Sequence, residues 1–161
     1  MGYFIYVLAV MFLIPSICVV VDFFIIKKEN QFINALGKWF IFWMIGIRLL
    51  TAGLKQVFDP AFTASMLNLD STGFVIIQEL GFANVLFGLL AIISLFVTKF
   101  RLSATIGGFY LGMAGILHVT RIGEEVSFKE TVAMVSDLFA LMIVLIYCIG
   151  LWINRKEEIK L

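Results

Sequence analysis

The sequence predicts an all-α membrane protein, a compact bundle of five transmembrane helices. Three observations predict it. Of 161 residues, 62% are hydrophobic and 14% charged, against roughly 45–50% and about 25% in soluble domains. The mean hydropathy is +1.08. And the apolar residues gather into five long runs, most near the 20 or so residues that cross a hydrocarbon core. The chain reads as one domain, 1–161.

The first span runs from Tyr3 to Ile26 and closes at Lys27 and Lys28. A signal peptide would need a basic n-region and a small-residue cleavage site. Neither is present, so this segment is expected to stay as a helix, bent at Pro15. The second covers 39–57 and is entered from Lys38. The third covers 73–98 and closes at Lys99 and Arg101. The fourth, 103–119, is short. The fifth covers 131–153 and closes at Arg155 and Lys156. The longest connection, 58–72, opens with Asp59-Pro60. Proline suits a first helical position, so a short interfacial helix is expected there.

Orientation follows from the basic residues. With the N-terminus outside, the inner segments hold Lys27, Lys28, Lys38, Lys99, Arg101, Arg155, Lys156 and Lys160, and the outer segments hold Lys55, Arg121 and Lys129. N-out, C-in is therefore expected, in the cytoplasmic membrane of a bacterium or archaeon. The lipid bilayer is the first partner. Net charge is +1, which gives no basic patch for nucleic acid. Cys18 and Cys148 lie inside apolar runs with no C-x-x-C pair, so they read as packing residues and not as redox thiols.

Ionisable residues inside a span are costly and mark function. Asp22 lies beside Lys27 and Lys28 and reads as locally paired. Arg48 is the deepest charge, nine residues into the second span. It needs a carboxylate, and Glu79 and Asp137 are the candidates. Lys55, one heptad on, lies on the same face, roughly 10 Å along the axis. Glu79 and Asp137 each sit about six residues in from the outer ends of their spans, and His118 lies within a turn of its own. Asn84 adds uncharged polarity. Lys55, Glu79, His118 and Asp137 thus share the outer half of the bilayer, with Arg48 as the floor, and Asn84 joins them in the expected polar cluster. Convergence would leave no charge unpaired.

Small residues offer packing faces. Gly108, Gly112 and Gly115 line one side of the fourth span, and Gly81, Asn84 and Gly88 one side of the third. Such faces let membrane helices approach closely, and these two are expected to meet. One His allows no His-rich metal or haem site. A mixed Glu79, His118 and Asp137 site lacks a tight ligand pair on any helix, so no metal is expected. Trp39 and Trp152 fall near span ends, as interfacial anchors do.

The stretch Arg48-Leu-Leu-Thr-Ala-Gly-Leu-Lys55 with Phe58-Asp59-Pro60 resembles the opening helix pattern of the DoxX-like membrane proteins, and Glu79-Leu-Gly81 resembles their next helix. The run Glu79 to Asn84, the motif Gly115-Ile-Leu-His118 and Asp137 also look like segments of an uncharacterised bacterial family of similar length. The resemblance covers residues 45–140. It implies a four-helix core with a polar cluster and, in some members, association with redox or quinone-linked complexes. Fold analogy transfers no activity.

Four functions compete. The cluster holds a small ligand, a quinone headgroup among the candidates, in an accessory subunit with a membrane partner or a second copy. Or Glu79, His118 and Asp137 relay protons in a small transporter or channel. Or the charges are structural glue. An intramembrane enzyme would use Glu79 or Asp137 as acid and His118 as base, but no nucleophile–base signature is readable.

Overall fold

The computed structural model describes residues 2–26, 31–120 and 127–158. Six helices account for nearly all of them. They are α1 (Gly2–Ile26), α2 (Phe32–Phe58), α3 (Pro60–Met66), α4 (Phe74–Phe96), α5 (Arg101–Thr120) and α6 (Phe128–Glu158). All except α3 belong to segments long and apolar enough to cross a membrane. Large apolar side chains such as Ile25, Ile76, Leu86, Met113 and Leu117 face outward. In water that surface would be unfavourable; in lipid it is the expected exterior.

α2 is the central helix. Its Phe40, Ile41, Met44, Ile45 and Leu49 are buried together with Met11 of α1, Ala91 of α4, Leu111 of α5 and Val144 of α6. α2 begins at Phe32, a full turn and more before the Trp39 expected from sequence. Lys38 therefore sits inside the bundle and does not flank it. It is tolerated there because Asp22 of α1 meets its Nζ at 2.5 Å and also accepts from Trp39 Nε1 at 2.7 Å. This corrects the local pairing expected for Asp22. Lys27 and Lys28, its expected partners, lie outside the described residues. It also gives the half-buried Trp39 a hydrogen bond within the bundle.

Among the described residues, three π-helical turns lie within the long helices, over Ala9–Leu13, Val21–Ile26 and Ile41–Ile47. The first precedes Pro15. Its wide turn lets Ile14 N–H reach Ala9 O, next to the residue that lacks a donor and crowds the preceding turn. The third ends where Arg48 N–H reaches Trp43 O, so it sets the direction in which Arg48 leaves the axis.

The glycine faces pair differently from expectation. The α4 face meets α2, not α5. Gly46 and Gly53 of α2 are one heptad apart, as are Gly81 and Gly88 of α4, and the antiparallel helices match them. A Cβ on Gly53 would stand 2.6 Å from Gly81 O, and one on Gly88 would stand 2.9 Å from Gly46 O. The α5 face meets α6 instead: Gly108 lies against Val144, Gly112 against Leu141 and Gly115 against Asp137 and Leu138. The physical reason is complementarity. Gly against Gly brings backbones together, while Gly against Leu or Val seats a side chain in a notch.

The connection between α2 and α4 folds over one end of the bundle. Pro60 starts α3, and Asn68, with φ 55°, reverses the chain after it. Asp70 Oδ1 then accepts from Thr72 N at 3.0 Å to start the turn into α4.

Candidate intramembrane site

Beneath α3 lies a cavity of about 350 Å³, bounded by α1, α2, α4, α5 and α6. Its walls are largely apolar, with Val7, Leu49, Leu80 and Leu111 among them. A few polar groups are set into them, the composition of a small-molecule site.

Arg48 and Asp137 lie in the cavity wall. Arg48 Nη2 meets Asp137 Oδ1 at 2.5 Å and donates to Ser136 Oγ at 3.3 Å. Both charged side chains are buried. Of the two carboxylates that sequence offered to Arg48, the fold uses Asp137. The helices that carry the pair are distant in sequence but packed around one cavity, so the pair ties the centre of α2 to α6.

Asn84 of α4 and Gln56 of α2 form a second polar element. Asn84 Nδ2 donates to Gln56 Oε1 at 2.6 Å, and both side chains are buried and line the cavity. Asn84 Oδ1 has no hydrogen-bond partner. A buried amide oxygen left this way costs on the order of 1–3 kcal/mol.

His118 borders the cavity from α5, and its Nδ1 lies 2.9 Å from Glu130 Oε1. Glu130 is fully buried. Sequence reasoning missed it because the fifth span was expected to begin at Thr131. A signal was there: Ser127-Phe-Lys-Glu130 has capping-box spacing. Ser127 Oγ accepts from Glu130 N at 3.1 Å, which starts α6, and donates to Met66 O at 3.0 Å, which fastens α3.

The rim carries the exposed charges. Lys55 Nζ meets Asp59 Oδ2 at 2.6 Å. The Lys55 and Lys129 ammonium groups stand 5.0 and 4.9 Å from the Phe62 ring. The hydrogen bond from Lys55 holds the Asp59 carboxyl below its ordinary value of 3.8. Three tyrosines complete the wall: Tyr3, whose ring stands 6.4 Å from that of Phe62, Tyr6, hydrogen-bonded to Thr51, and Tyr110 of α5.

Of the six residues expected to converge, Arg48, Lys55, Asn84, His118 and Asp137 border this one cavity. Glu79 does not. It is exposed on α4, and its neighbour Leu80, also partly exposed, is the one that borders the cavity. Among the described residues, no three His, Cys, Asp or Glu side chains gather to hold a metal.

A model of a family of unknown function, DUF6790, matches residues 5–160. The resemblance to DoxX-like proteins has no counterpart in that match. No curated protein and no solved structure matches the chain.

Proposed function

The chain belongs to the DUF6790 family, and we propose that it is a membrane protein that binds a small amphipathic molecule in the cavity beneath α3. The observation that carries this reading is the cavity itself. A space of about 350 Å³ remains inside the bundle, lined by apolar side chains together with Asn84, whose buried carbonyl oxygen has no hydrogen-bond partner, and by the Arg48–Asp137 pair. A bundle needing only glue would close such a space, because membrane helices associate through close packing.

The walls suit a flat, mostly apolar head with polar atoms at its edge. A quinone-type headgroup has that form, and the DoxX-like stretch from Arg48 to Pro60 points to the same chemistry in an accessory subunit of a redox complex. With the N-terminus outside, the α3 end of the bundle faces outward and so does the cavity. A proton relay through Glu79, His118 and Asp137 has less support, since Glu79 stands outside the cavity.

Native mass spectrometry from mild detergent tests the reading. The expected result is a bound small molecule that is lost when Ala114→Trp fills the cavity. A chain that emerges bare, and whose thermal unfolding no decyl-chain benzoquinone shifts, overturns it.

A further inference from the structure

A second hollow, of about 260 Å³, lies between α1 and α6 and is almost wholly apolar. Phe4, Leu8 and Phe12 form its α1 wall, and Thr131, Val132 and Val135 its α6 wall. Phe4, Leu8 and Val135 are exposed, so the groove opens sideways, toward lipid. Ring pairs join the two helices near its ends: Phe4 with Phe128 at 6.1 Å, and Phe12 with Phe139 at 4.3 Å. From Phe4 to Phe12 is about 12 Å along the helix.

Two residues connect this groove to the polar cavity. Val7 borders both spaces and is 3% exposed. Ser136 lines the groove, and its Oγ accepts from Arg48 Nη2 at 3.3 Å. The inner wall of the groove is therefore one hydrogen bond from the buried ion pair.

We propose that the ligand carries a single hydrocarbon chain, prenyl or alkyl, that lies in the α1–α6 groove while the head occupies the cavity. The ligand then enters from the bilayer, past Val7, and not from water through the rim. This rests on the ligand-binding reading above. It goes further by fixing the ligand class as a tailed amphiphile and the route as lateral. An apolar groove alone would take any lipid chain. What selects this occupant is the adjoining polar space, which shares Val7 with the groove and which an ordinary acyl chain has no group to fill. A chain in the groove gains little over a chain in lipid by hydrophobicity, since both surroundings are apolar. The groove therefore fixes where the tail lies more than how tightly the head binds.

Photolabelling tests position directly. The full chain is placed in phosphatidylcholine nanodiscs with a decyl-chain benzoquinone that carries a diazirine on the chain. The expected adducts fall on Leu8, Phe12 and Val135. Excess untagged decyl benzoquinone reduces them at least tenfold, and Val135→Trp removes them while head-competed labelling persists elsewhere. Adducts that are competed away but map to other lipid-facing positions, such as Ile76 or Leu86 of α4, overturn the tail assignment and leave the head site standing. Labelling that no untagged quinone reduces overturns both.

Discussion

Arg48 and Asp137 meet at 2.5 Å in the interior of the bundle, each from a different helix and each buried. The guanidinium also reaches Ser136, one residue before its partner. A pair so enclosed is held by its mutual charge, and removing one half leaves the other in a medium that does not solvate it.

Asp137→Leu alone is therefore expected to destabilise the protein by about 3–5 kcal/mol, read as loss of the folded, monodisperse species in detergent. Arg48→Met with Asp137→Leu removes both charges and is expected to recover most of that stability, because apolar replacement of a whole pair is often neutral. Ligand binding is expected to stay lost in the double variant. Recovery of both stability and binding would make the pair mere glue.

The glycine match between α2 and α4 leaves no room for side chains. Gly53→Val is expected to cost about 1–3 kcal/mol through overpacking, since its Cβ would meet Gly81 O at 2.6 Å and Val85 N at 2.7 Å. Gly2→Ala, with nothing within 4 Å of the added atom, is the control and is expected to be neutral. Thermal unfolding in detergent ranks the two.

Glu79→Gln is expected to leave both stability and ligand binding unchanged, because the side chain is exposed and outside the cavity. Isothermal binding of the decyl benzoquinone to this variant checks it. A loss comparable to that of Ala114→Trp would bring Glu79 back into the site.

The corner between α2 and α3 is pH-sensitive. Asp59 titrates below 3.8 in the folded chain because Lys55 donates to it. A lowered carboxyl contributes stability above its ordinary value and loses it as pH falls through the lowered one. Amide protection across 60–66 is expected to fall below about pH 3.8, to a small extent because the pair is exposed. Asp59→Asn is expected to abolish that dependence.

Orientation is open to a direct measurement. N-out, C-in predicts a fluorescent C-terminal green fluorescent protein fusion and an active N-terminal alkaline phosphatase fusion. The opposite pattern would turn the cavity to the cytoplasm.

Depth was legible in the sequence and azimuth was not. Counting residues from span ends brought Lys55, His118 and Asp137 to the outer half with Arg48 below them, and all four border one cavity, because rise per residue is nearly constant. The direction of a side chain depends on helix phase, and the π turn before Arg48 shifts that phase. Glu79 and Leu80 differ by one position and both are exposed, and only the packing of α4 on α2 decides which borders the cavity. The partner of each glycine face was likewise undetermined from α4 and α5 alone. The matching heptad spacing of Gly46–Gly53 and Gly81–Gly88 carried that information. Lys38 was read as a flank and Glu130 fell outside the expected fifth span, because a charge marks a span end unless its partner is known. Their partners, Asp22 and His118, are supplied only by the assembled bundle.

The most direct measurement is a crystal structure from a lipidic phase soaked with decyl benzoquinone. Ordered non-protein density between Asn84, His118 and the Arg48–Asp137 pair is the expected result. A cavity closed by Phe62 and Met66, with Asn84 Oδ1 bonded to protein, would contradict the account.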